Sequence, residues 1–392
     1  MNLRIAMLST YPPTQCGIAT FSRSLATAIL GTGLDVNIVR LGGNKEPSTN
    51  PIVIADHGSK SDIARTIRTL NDHDIVIVQH EFGIYDGKDG AELLDILSGI
   101  TVPFISVLHT VAANPTPGQQ HVVQTLLNSS GAVVVLSDSA LRSLMRSHDV
   151  DKARVKVIPH GAPSLSVPAR GEGIRTRPRV LTWGLLGEGK GIEWGIEALA
   201  LLHEVDPLPE YFVVGQTHPK VVQRDGYRYR AHLENLAHKL GVADHVHFMD
   251  GYLDSAALAR VITSADFYLL PYDARDQVTS GVLSEAMVAG GPVIATRFPH
   301  AVELLGDGTG VLVDHQNPSN IAKALERLIL QPQIRNDMRA RTRIKSEKFL
   351  WPSVGNEFNR LAYSVIHEQR ERSRGAALDR ESGVRFPVGV PS

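Results

Sequence analysis

Short, almost wholly apolar runs alternate along this chain with longer stretches of helical periodicity. Residues 3–9 read as a buried strand, and Gly31 and Gly33 stop the helix predicted over 18–30. Further strands are predicted over 36–40, 75–79, 104–108, 132–136 and 155–158, with helices over 60–70, 91–97, 119–128 and 139–147. Strands with no polar face belong inside a parallel sheet covered on both sides, and such a sheet binds ligands beyond its carboxyl edge. Residues 162–179 lose all periodicity and carry Pro, Gly and Arg, as a linker does. The pattern then restarts, with strands over 180–183, 211–214, 246–249, 267–270, 293–295 and 310–313 and helices over 192–202, 229–240, 255–263, 282–289 and 319–330. At 392 residues the chain is long enough for two domains. The expected architecture is α/β, with two Rossmann-like doubly wound domains facing across a cleft.

The stretch Pro271 to Thr296, PYDARDQVTSGVLSEAMVAGGPVIAT, stands out. A loop holding Asp273, Asp276, Gln277, Thr279, Ser280 and Gly281 leads from a strand into a helix that Gly290, Gly291 and Pro292 end. Unpaired amides and a positive dipole gather at a helix start, so the place suits a phosphate. Glu285 lies about one helical turn inside, within reach of a ligand hydroxyl.

Glu285-Ala286-Met287 and Gly291-Pro292-Val293-Ile294-Ala295 resemble the donor-sugar site of retaining glycosyltransferases of family 4, whose fold is GT-B. That family carries two glutamates flanking the helix start. Glu285 stands at the second position and Gln277 at the first. The resemblance implies a retaining, metal-independent hexosyltransferase that moves sugar from a UDP-, GDP- or ADP-hexose to a hydroxyl acceptor, with no cofactor. It implies that Lys190 grips the donor diphosphate, although Leu185 occupies the position of the family's partnering arginine. Gly17 and the amides at Ser280 and Gly281 would meet the phosphates, with Thr279 and Val282 beside them. Gly215 and Gln216 would touch the nucleotide, and Glu285 the ribose. Gln277 would hydrogen-bond a sugar hydroxyl, and His109 would contact the transferred sugar. His80 and Glu81, in the run Gln79-His80-Glu81-Phe82-Gly83, would line the acceptor side. His160 matches a turn and hinge. The implied organisation is an acceptor domain over 1–163, a linker over 164–178 and a donor domain over 179–350. A helix over 351–372 crosses back to the first domain, and a loose tail follows over 373–392.

Other chemistries fit less well. Gly184 to Gly191 has the GxxxxGK spacing of a phosphate-binding ATPase loop, but position 191 is Gly where a hydroxyl should hold Mg²⁺. No Gly at 192 completes a dinucleotide fingerprint. The histidines at 80 and 109 lack metal-ligand spacing, and the DxD pairs at 72–74 and 149–151 read as turns. With 40 basic against 41 acidic residues, nothing global draws the chain to nucleic acid. Cys16 is the single cysteine, which rules out an internal disulfide and suits a reducing cytosol; it reads as packed and inert. No run is long and apolar enough for a signal peptide or a membrane span, so a cytoplasmic location is expected. The basic helix over 334–349 reads as a solvated face, with peripheral contact to a lipid or phosphate acceptor as the other reading. Two alternatives stay open for the whole chain. One is a glycoside phosphorylase that uses inorganic phosphate in the same cleft; the other is a catalytically silent sugar- or nucleotide-binding partner.

Overall fold

The alternation folds into two parallel sheets, each wrapped by helices. The computed structural model describes residues 3–42, 50–165, 177–251 and 253–381. The first sheet holds β1 (Arg4–Ser9), β2 (Asp35–Leu41), β3 (Val53–His57), β4 (Ile75–His80), β5 (Phe104–Leu108), β6 (Ala132–Val135) and β7 (Val155–Val157). Its spatial order is β3-β2-β1-β4-β5-β6-β7. The second sheet holds β8 (Arg179–Trp183), β9 (Glu210–Val214), β10 (Val246–Met249), β11 (Phe267–Leu270), β12 (Val293–Thr296) and β13 (Val311–Val313), in the order β10-β9-β8-β11-β12-β13. Chain direction across each sheet reverses beside its first strand, between β1 and β4 and between β8 and β11. Loops leaving those strands part to opposite faces and open a crevice at the carboxyl edge.

The central strands are buried on both faces because they are apolar throughout: every residue of β4, β5, β6, β11 and β12 is buried. Three elements escape the sequence pattern. β3 is half-exposed, and Asp56 and His57 interrupt its apolar run. The helices Pro219–Asp225 and Pro299–Leu305 are too short for a periodic signal.

Trp351 starts a new helix after Leu350 turns extended, and this helix runs to Glu381. The expectation of a loose tail from 373 therefore gives way to helix as far as 381, and 382–392 lie outside the described residues. Of the expected linker, 166–176 also lie outside them. The terminal helix packs on the first lobe, where Val354, Phe358, Leu361, Ala362, Val365 and Ile366 join the core formed by β1, β4 and the helix Gly17–Leu30. The basic helix Pro332–Ser346 uses much of its charge internally. Arg335 donates to the carbonyls of Leu328 and Ile329, and Lys345 pairs with Asp307. No described helix is long and apolar enough to cross a membrane.

Candidate functional site

Two loops leave the crevice of the second sheet and are tied to each other. The N–H of Asp273 donates to the Gly189 carbonyl at 2.9 Å. The Trp194 indole donates to the Asp273 carboxylate at 3.0 and 3.1 Å. Gly191 has φ +62°, and a Cβ there would lie 1.9 Å from the Pro271 carbonyl oxygen. A Ser or Thr cannot occupy that position, which is the physical reason the GxxxxGK run ends in glycine. Gly191→Ala is expected to cost on the order of 4 kcal/mol, combining a left-handed φ with a backbone clash. Gly189→Ala should cost about 1 kcal/mol, because its φ of +87° is unfavourable but a Cβ meets nothing within 4 Å. Chemical denaturation of both variants tests the contrast; equal losses would mean that the loop does not press on Pro271.

Lys190 Nζ lies 4.3 Å from the centre of the Tyr272 ring. Burial lowers its pKa to about 8. Tyr272 stacks on Phe298 at 5.3 Å. Its hydroxyl is pushed well above the ordinary range by burial first and by Glu285 nearby. Glu285 accepts a 2.7 Å bond from the Trp183 indole at Oε2. Burial raises the Glu285 carboxyl, and that indole bond opposes the rise. Lys190, Tyr272, Glu285 and Trp183 thus form one continuous wall.

Ser280 caps the helix Gly281–Ala289 by accepting from the Leu283 N–H at 3.2 Å. Its own N–H donates to Nδ1 of His300 at 2.9 Å. The amide expected to meet a phosphate at Ser280 is therefore already engaged. The next two, at Gly281 and Val282, lie in the first turn, where a helix leaves its amides unbonded. His300 is buried, and burial lowers its pKa to about 3, so the ring is neutral with its proton on Nε2. Gln277 turns back on its own loop, donating to the Thr279 carbonyl at 3.1 Å, and Thr279 Oγ1 is buried without a partner.

The first lobe meets this wall directly. Cys16 caps the helix Gly17–Leu30, its sulfur accepting from the Ala19 N–H at 3.3 Å, which gives it a structural role. A Cβ at Gly17 would enter open space. Gln216 donates to Gln15 across the gap at 3.1 Å, so the Gly17 and Gly215 loops face each other. The His160 ring abuts the helix start, since a Cβ on Gly281 would lie 2.7 Å from it. His160 and His109 both stand edge-on to Phe21, at 4.9 and 4.7 Å, and His109 Nε2 bonds Gln79 at 2.7 Å. His80 departs from expectation. β4 runs one residue further than its predicted end at 79, so His80 is a strand residue, 0% exposed, with its ring perpendicular to Phe82 at 4.8 Å. It does not line an acceptor surface; Glu81, the next residue, is half-buried. Among the described residues no three His, Cys, Asp or Glu side chains converge as a metal site would require.

Trp183, Tyr272, His300 and Asp273 carry much of this geometry, and the sequence reading assigned none of them a role. The one local hint is Pro299 before His300, a helix-start residue in an otherwise patternless segment.

Residues 170–345 match the family described as Glycosyl transferases group 1. The D-inositol 3-phosphate glycosyltransferase of Corynebacterium glutamicum is 27% identical over 68% of this chain and 67% of its own length. That of Corynebacterium diphtheriae is 25% identical over 91% of this chain and 93% of its own length. Among solved structures, Anabaena HepE in complex with UDP and glucose superposes with a TM-score of 0.70 at 16% identity, covering 93% of this chain and 100% of its own. The two facing Rossmann-like lobes are those of the GT-B fold, and the match to the glycosyl transferases group 1 family falls on the second of them.

Proposed function

We propose that the protein is a retaining glycosyltransferase that moves a hexose from a nucleoside-diphosphate sugar to a hydroxyl acceptor. One observation carries the reading. The ammonium of Lys190 and the carboxylate of Glu285 share a wall through Tyr272, and Glu285 stands in the helix whose start, at Gly281, abuts His160 of the first lobe. The diphosphate gains charge as it leaves. Fixed amides and an ammonium stabilise that charge more than they stabilise the bound donor, and this difference lowers the barrier. Glu285 Oε1 is available for a ribose hydroxyl while Trp183 holds Oε2. His109, held by Gln79, faces the sugar from the first lobe. Closure excludes water, which would otherwise compete with the acceptor. No metal or cofactor enters the scheme. The corynebacterial relatives are named for a phosphorylated inositol acceptor, so polyol phosphates are the first acceptors to try.

Thermal titration with UDP, GDP, ADP and inorganic phosphate tests the donor class. A nucleotide at a hundred times its Kd should stabilise the protein by about 2.7 kcal/mol. Incubation with the matching sugar nucleotide should then give a product of unchanged anomeric configuration by NMR. Stabilisation by phosphate alone would point to a phosphorylase, and nucleotide binding without turnover to a silent partner.

A further inference from the structure

The short helix Pro299–Leu305 touches both the donor loop and the other lobe. Its Glu303 carboxylate accepts from the first-lobe amides of Ser139 at 2.6 Å and Asp138 at 3.1 Å, and Arg142 lies 3.6 Å away. The side chain is only 16% exposed. Those amides open the helix Asp138–Ser147, which already has its own cap: Ser137 Oγ accepts from the Ala140 N–H at 2.9 Å. The helix therefore does not need Glu303 in order to form. What the carboxylate adds is a charge-assisted bond between lobes, placed where the helix dipole favours an anion.

One turn before it on the same helix, His300 receives the Ser280 amide, and its own N–H reaches the Gln277 carbonyl at 3.4 Å. The donor loop is also held from the opposite side. Ser137 Oγ donates to the Val278 carbonyl at 2.5 Å, and the Val278 side chain is buried in the core of the first lobe. Loop and lobes can be in register only when the gap is shut.

We propose that Glu303 is a positioning residue that latches the two lobes shut and, through His300 and Val278, sets the donor loop in its working geometry. The kinetic part rests on the glycosyl-transfer reading; the conformational part does not. A ligand-free variant without the carboxylate opens. Substrate at saturation closes it again, so the cost falls on KM and spares kcat.

The test uses the full chain with Glu303→Ala, Glu303→Gln and Arg142→Ala, followed by small-angle scattering and kinetics. Glu303→Ala should raise the radius of gyration by on the order of 1 Å above the roughly 21 Å expected for a chain this long. It should also raise KM about tenfold with kcat within about threefold, and Glu303→Gln should fall between it and the parent protein. Circular dichroism should be unchanged, because Ser137 still caps the helix. If Glu303→Ala fails to fold, the Glu303→Gln and Arg142→Ala proteins decide. An unchanged radius in the folded variants overturns the latch. A larger radius in a protein that turns over no sugar nucleotide, parent included, keeps the latch and removes the transferase reading instead.

Discussion

Replacing Lys190 with alanine is expected to reduce kcat for sugar transfer by about 10² to 10³, the range found when one preorganised charge-stabilising group is removed. Lys190 is suited to that role because its ammonium is held over the Tyr272 ring, in a loop tied to the donor loop by the Asp273–Gly189 bond. Residue 185, earlier in the same loop, is Leu and adds no second cation there. Its pKa also predicts a pH profile. Burial favours the neutral amine, so the free protein loses this charge as pH rises through about 8. The kcat/KM of the parent protein should therefore fall on that alkaline limb. Lys190→Arg keeps a permanent charge and should flatten the limb, whatever it does to the maximum. A Lys190→Ala protein within threefold of the parent, or a parent profile flat to pH 9, would remove Lys190 from the chemistry.

The second large effect is expected in acid. Four neutral histidines run from the first lobe to the second, and burial is the main cause of their low pKa values. These are about 4 for His80 and His160 and about 3 for His109 and His300. The unfolded chain takes up these protons near 6.5 and the folded protein does not. Stability from this source is therefore complete above pH 6.5 and is lost as pH falls towards the folded values. The 1.5 units between 6.5 and 5 correspond to about 2 kcal/mol per enclosed ring. His80 and His300, at 0% and 1% exposure, carry that in full. His109 and His160 border the gap and contribute less. A loss of roughly 4 kcal/mol should lower the thermal midpoint by on the order of 10 °C between pH 7 and pH 5. His300→Asn, which keeps an acceptor for the Ser280 amide, should make the slope shallower. An equal midpoint at both pH values would show that the rings charge without disturbing the lobes.

The sheets were legible because burial on both faces demands uninterrupted apolar strands, and that demand is local in sequence. The loop–helix junction at 280–281 was legible for the same reason, since Ser280, the apolar helix and Gly290 follow one another directly. What escaped the sequence was contact between distant segments. The Trp183–Glu285 bond spans 102 residues and the Ser139–Glu303 bond spans 164. Neither leaves a periodic trace. Local spacing placed His80 at a strand end, but only the register of β4 against β5 shows that the strand continues through it. Cys16 was read as inert packing and proves to be a helix cap, a role normally taken by an oxygen-bearing side chain.

The terminal helix sets an order of events for biosynthesis. Its residues 354–366 complete the hydrophobic interior of the lobe that begins at Leu3, and Asn359 bonds Thr32 at 2.8 Å. A nascent chain that has emerged through β7 still exposes one flank of the helix Gly17–Leu30 to solvent. That flank stays bare while the whole second lobe is translated, and it is covered only once residues 354–366 have emerged. The first lobe thus closes its interior only after the second has been synthesised.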